Sequence, residues 1–117
     1  MLHALLLILL VTASNEHLGF KRSEAMARFL PPEYHNVEFC TALYDMGMRE
    51  LVSYRWERHM TLEQFNAEPY NPGTTIQQAA FIDQLAIEAW SWQQDPDSWM
   101  LFEFNECIKP RPVEQES

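Results

Sequence analysis

The chain predicts an all-α fold: an irregular small helical bundle of three main helices plus one or two short ones, closed by a disulfide between Cys40 and Cys107. Three observations predict it. Apolar residues recur at three- and four-residue spacing through Cys40–Tyr54 and Ile76–Ala89, and large apolar residues fill Trp99–Cys107. Helix-start chemistry stands before each of these runs, at Asn36, Thr74-Thr75 and Asp95-Pro96. With 3 Gly in 117 residues, the chain has little of the turn chemistry that a β-rich fold or a phosphate-binding loop needs.

The first 13 residues set the context of the cysteines. Met1-Leu2-His3 precedes an unbroken apolar run, Ala4 to Val11, followed by Thr12-Ala13-Ser14. Val11 and Ala13 are small or β-branched residues, placed as a signal-peptidase site places them, with the cut near Ala13. A short apolar core ending in small residues reads as a secretory signal peptide over 1–13, and it is too short to span a bilayer. No Lys or Arg precedes the run, so its fixed positive charge is the α-amino group. The competing reading is a buried N-terminal helix of a cytosolic protein, but no amphipathic period is visible from Leu2 to Val11. No Cys lies near the cleavage region, so there is nothing to lipidate. Export puts Cys40 and Cys107 in an oxidising compartment, periplasmic or extracellular, where two thiols become a bond. The loop so closed covers more than half of the chain, and the chain-entropy model gives roughly 4 kcal/mol for one that long.

Each element follows from its own residues. Residues 14–35 are a mixed polar segment in which Ser23 can cap a short helix through Glu24, Ala25, Met26 and Phe29, stopped by Pro31-Pro32. The helical domain proper is expected over 36–109. Asn36 is an N-cap and Glu38 suits the first-turn dipole of a helix over about 37–59. Cys40, Leu43, Gly47, Leu51 and Tyr54 form its stripe. Asp45 and Arg49 make an i,i+4 pair, and Arg55, Arg58 and His59 gather at its C-terminal end. Thr61-Leu62-Glu63-Gln64 is a capping box opening a short helix that Pro69 ends. A second box, Thr74 with Gln77 or Thr75 with Gln78, opens an Ile- and Ala-rich helix to about Gln93. Asp95 as N-cap with Pro96 at the first position opens the last helix, which Pro110 and Pro112 end. Residues 110–117 read as a disordered tail. Bonding Cys40 to Cys107 requires the last helix to cross at a steep angle or to lie across the end of the bundle.

Charge narrows the partners. There are 8 Lys and Arg against 17 Asp and Glu, a formal net charge of −9. An acidic surface argues against nucleic acid, and against a membrane once the signal is removed, and it favours a partner with a basic surface. No chemistry-bearing constellation stands out. His17, His35 and His59 are scattered without metal-ligand spacing, so no metal or other cofactor is expected. There is no Gly-x-Ser-x-Gly, and a Cys40 nucleophile would need a free thiol. Glu50 with Glu57 and Glu103 with Glu106 are carboxylate pairs of a kind that an acidic chain makes by chance, and they read as solvated faces; no catalytic residue is assigned. Arg49, Arg55 and Arg58 could form a basic strip but read better as dipole complements and partners of Asp45 and Glu50. The aromatics are the surface candidates. Trp90 and Trp92, two apart on one helix, point to different faces, and Trp56 and Trp99 add to them. Exposed members of this set would anchor a partner.

The layout resembles a broad group of small exported bacterial helical proteins. It shares a signal peptide, a Cys opening the first helix (Phe39-Cys40-Thr41), a short capped helix (Met60-Thr61-Leu62-Glu63-Gln64), an Ile/Ala-rich helix, and a Cys closing the last (Asn105-Glu106-Cys107). Over about 37–108 it is similar to the periplasmic immunity proteins that neutralise type VI secretion effectors; those often carry further cysteines that this chain lacks. It is more distantly similar to periplasmic acid-stress chaperones, whose single disulfide is more narrowly spaced. The first likeness implies an exported protein that binds and inhibits another protein, such as a toxin effector. The second implies a chaperone that opens in acid. A small hydrolase is the remaining alternative.

Overall fold

The computed structural model describes residues 22–110; the expected signal peptide 1–13 and nearly all of the expected tail 110–117 lie outside the described residues. Five helices are present and no strand occurs among the described residues. They are α1 (Ala25–Phe29), α2 (37–57), α3 (Leu62–Asn66), α4 (Ile76–Ser91) and α5 (Pro96–Ile108), with a single 3₁₀ turn at Pro32–Tyr34.

Each start is chemically local. Ser23 Oγ accepts from the Met26 N–H at 3.1 Å, opening α1. Asn36 Oδ1 accepts from the Phe39 N–H at 2.7 Å. Thr61 with Gln64 and Thr75 with Gln78 are both reciprocal capping boxes, so Thr75 rather than Thr74 opens α4. Asp95 accepts from the Ser98 N–H at 3.0 Å with Pro96 in the first position. Helical dihedrals run unbroken through Leu43, Arg49 and Ser53, so 37–57 is one helix. Leu43–Met48 and Ser53–Glu57 are wound more widely, with π-type hydrogen bonding. The helix ends two residues short of 59. His59 takes a left-handed φ of 57°, and the Met60 N–H turns back to the Tyr54 carbonyl at 3.0 Å.

The helices pack around one core. α1 lies against both α4 and α5, α2 also meets both, and α3 sits on α4. Ala25, Met26 and Leu30 from the N-terminal segment share that core with Met48 and Leu51 of α2, Leu85, Ala86 and Ala89 of α4, and Trp99 and Met100 of α5. A boundary at residue 36 therefore separates nothing in packing: Ala25 and Met26 are fully buried. The small residues of α4 are what let α1 approach, since alanines bring helix backbones close.

The start of α2 meets the end of α5 at the Cys40–Cys107 disulfide, Cα–Cα 5.9 Å across a sequence separation of 67. Along α2, Tyr44 meets Phe104 edge-on at 5.7 Å and Trp56 meets Trp99 at 6.3 Å. The partners run in reverse order, so α5 is antiparallel to α2. The contacts crowd near the disulfide and thin out toward the tryptophans, which is why the bundle is irregular. His35 secures the same end: its Nδ1 is 2.7 Å from the Cys107 carbonyl oxygen and its Nε2 is 3.2 Å from that of Leu30.

Candidate functional site

The four tryptophans do not form the expected surface. Trp99 is 0% exposed and Trp92 5% exposed, so neither can anchor a partner. The error at Trp92 has a definite cause. α4 stops at Ser91, before the expected Gln93, and Trp92 has extended dihedrals (φ −69°, ψ 130°). The two-residue helical rotation that was to separate it from Trp90 therefore does not apply. Trp92 turns inward, stacks on Phe102 at 5.2 Å and donates from Nε1 to Ser98 Oγ at 2.9 Å. Trp90 and Trp56 are half-buried against the core. Trp90 stacks on Phe65 and donates to the Met60 carbonyl at 2.8 Å.

The arginines of α2 do not form a basic strip either. Arg49 lies over Tyr44, Arg58 over Tyr54 and Arg55 over Trp56, the last at 4.1 Å. Arg55 Nη1 also donates to the Ala89 and Trp92 carbonyls at the end of α4. Those carbonyls are orphaned by helix termination, and a cation there complements the dipole.

The Glu103–Glu106 pair, expected on a solvated face, is buried. Glu88 of α4 and Glu103 and Glu106 of α5 converge where the chain enters α1. Glu88 accepts from Ser23 Oγ at 2.8 Å, the Ala25 N–H at 2.9 Å and Gln84 at 3.0 Å. Glu106 accepts from the Ser23 N–H at 2.7 Å and from Lys109 Nζ at 2.5 Å. Two carboxyls from different helices thus hold the start of α1, where its unpaired N–H groups would otherwise be buried without partners. Glu103 differs. It is 0% exposed, and neither of its carboxyl oxygens has a hydrogen-bond partner among the described residues. Burial, then the neighbouring Glu88 and Glu106 carboxyls, push its pKa well above the ordinary glutamate range. A sequence signal for this existed. Counting from Trp99 by four and seven residues reaches Glu103 and Glu106, on the face that also carries Cys107. All three carboxyls are buried. Among the described residues no three His, Cys, Asp or Glu side chains are placed to hold a metal ion.

Among the described residues, one surface feature open to a ligand is a mainly apolar groove of about 700 Å³. One wall is Phe29, Leu30, Pro31 and Tyr34, from the end of α1 and the proline turn. The floor is Phe39, Leu43, Gly47 and Leu51 of α2, and the far wall is Phe81, Ile82 and Leu85 of α4. The elements explain the gap: α1 and α2 both lean on α4, and Pro31-Pro32 carries the chain between them without filling the space. Tyr34 and Phe39 pair at 5.0 Å, and Tyr34 is 43% exposed. Gly47 contributes no side chain; a Cβ there would come within 2.9 Å of Leu43 Cδ1. The groove shares Glu50, Phe65, Thr74 and Ile82 with an adjoining hollow of about 250 Å³ that adds Glu68, Tyr70 and Asp83. Tyr70 donates its phenol proton to Asp83 at 2.7 Å, which raises the Tyr70 pKa. No helix among the described residues is long and apolar enough to cross a membrane. Comparison with protein-family models, curated proteins and solved structures finds no match to the chain.

Proposed function

We propose that the protein is an exported binding protein that inhibits another protein by holding it, as an immunity protein holds a toxin effector. The observation that carries this reading is the apolar groove between α1, α2 and α4, with Tyr34 and Phe29 exposed at its edge. Water-facing apolar surface of this kind is costly in a small domain and marks contact sites for other macromolecules. The net charge of −9 suits a partner whose own surface is basic. Export is supported by the leader-like residues 1–13 and by the disulfide.

The alternatives draw less support. A hydrolase needs polar groups converging in an accessible cleft; Glu88, Glu103 and Glu106 are sealed in the core, and in the open hollow of Glu50, Glu68 and Asp83 the Asp83 carboxylate is bonded to the Tyr70 phenol. A chaperone opened by acid needs carboxyls whose protonation loosens the fold. Glu103 works the other way, because burial makes its protonated form the stable one.

The test is capture from extract of the compartment where the protein resides, with and without a candidate toxin, by the wild-type chain and by a Phe29→Asp/Tyr34→Asp variant. The reading expects a specific protein retained by the wild type and lost from the variant, and inhibition of that protein's activity on binding. Equal retention by both, or no specific protein in either case, overturns it.

A further inference from the structure

The binding reading leaves open what chemistry the groove selects, and its lining carries an answer. The groove is apolar along the walls formed by Phe29, Leu43 and Phe81, neutral and polar at Thr74, Thr75, Gln77 and Gln78, and among the described residues Glu50 is its only charged lining residue. At Glu50 it passes into the adjoining hollow, where Glu68 and Asp83 are the other charged lining residues. Among the described residues neither depression is lined by a Lys or Arg. Glu50 also lines a third hollow, on the outer face of α2, together with Asp45, Glu57, Arg49 and Arg58. Glu68 and Asp83, at one end of the apolar groove, share their hollow with no Lys or Arg among the described residues.

We infer that the groove takes a segment of a partner protein whose apolar side chains lie between α1, α2 and α4 and whose Lys or Arg, at one end of that segment, enters the hollow of Glu50, Glu68 and Asp83. This rests on the binding reading and sharpens it. Apolar contact supplies the affinity, and the carboxyls fix which way round the segment lies. Asp83 is already positioned by the Tyr70 phenol, so it need not be ordered on binding. A neutral or acidic segment of equal apolarity would leave Glu68 and Asp83 facing an apolar neighbour with no counter-charge.

The experiment is a titration of the full oxidised chain with a synthetic amphipathic peptide, Leu at positions i, i+3, i+4 and i+7 and two Lys at one end, followed by fluorescence polarisation of a dye on the peptide. Two control peptides replace the Lys pair by Glu, or the Leu residues by Ser. The expected result is saturable binding of the Lys peptide, weakened about tenfold by the Glu swap, by Glu68→Lys/Asp83→Asn in the protein, or by raised salt, and abolished by Leu→Ser. These two protein substitutions are on exposed or half-exposed side chains, so the variant remains folded, and circular dichroism checks that it does. Equal affinity for the Lys and Glu peptides overturns the charge inference and leaves the groove reading standing. Failure of every peptide overturns both. Sedimentation of the same samples reads the other occupants. A dimer that the Lys peptide cannot dissociate assigns the groove to a second copy. Binding that begins only after residues 1–13 are cleaved assigns it to the chain's own apolar run from Ala4 to Val11. Either outcome overturns the proposal.

Discussion

Glu103→Gln should make the protein more stable, and increasingly so as the pH rises. Glu103 is fully buried with no hydrogen-bond donor at either oxygen among the described residues. It is faced by Glu88 from α4, by Glu106 with its Lys109 partner from α5, and by Ser23 from the segment before α1. Its folded-state pKa is raised above the unfolded value. The stability that this proton contributes is therefore fully present below the ordinary glutamate range. It is lost as pH rises above that range, because the unfolded chain gives up a proton that the folded chain keeps. Each pH unit over which that difference persists costs about 1.4 kcal/mol, and the loss levels off once the folded carboxyl itself ionises. Gln has nearly the same shape and helix propensity and no proton to lose. Groups that do not interact with position 103 titrate alike in both proteins and cancel, so the difference reports Glu103 together with its coupling to Glu88 and Glu106. The assay is urea unfolding of wild type and variant at intervals from about pH 4 to about pH 8. The two unfolding free energies should lie a constant offset apart in acid and diverge with a slope of about 1.4 kcal/mol per pH unit above it. Parallel curves across the whole range would show that Glu103 is ionised in the folded state, and the account of the buried cluster would be refuted.

Three further outcomes follow from single contacts. Reducing the Cys40–Cys107 bond, or replacing both residues by Ala, should remove roughly 4 kcal/mol, the closure entropy of its 67-residue loop, read as a fall in the urea midpoint; an unchanged midpoint would mean that the reduced chain is already as constrained. Arg55→Ala should cost about 1–3 kcal/mol in the same assay, since it unpairs the Ala89 and Trp92 carbonyls at the end of α4 and uncovers Trp56, and Arg55→Lys should recover only part of that because an ammonium lacks the planar fork; full recovery by Lys would reduce the role to charge alone. His59→Gly should stabilise by up to about 1 kcal/mol, because His59 holds a φ of 57° that glycine adopts freely, and a loss of stability on thermal melting would show that the His59 side chain matters more than its backbone.

How far the sequence reaches can be judged element by element. Asn36, Thr61, Thr75 and Asp95 cap helices as expected, because a cap joins a side chain to an N–H three residues on and needs nothing from the rest of the fold. The all-α class follows from apolar spacing, and the disulfide from two cysteines read together with the leader-like run of residues 1–13. The choice between Thr74 and Thr75 was open because both fit the same local rule. Trp92 was misplaced because one dihedral change at the end of α4 reverses a side chain's direction, and helical periodicity carries no information beyond the last turn.

The buried carboxyls mark the limit. Sequence determined that α5 carries Glu103 and Glu106 on the stripe of Trp99 and Cys107, but stripes of mixed character do not say which face is covered. What covers them is the chain at Ser23, 83 residues away from Glu106 in sequence and 2.7 Å away in space. The groove is likewise a property of how α1 and α2 lean on α4, and no residue in it signals a cavity alone. Sequence by itself determined where helices begin, which residues they carry and that the ends are tied together, since those follow from interactions within a turn or from covalent chemistry. Only the tertiary structure decided which acids lose water and which apolar residues keep it, because burial is set by neighbours that the chain brings together from afar.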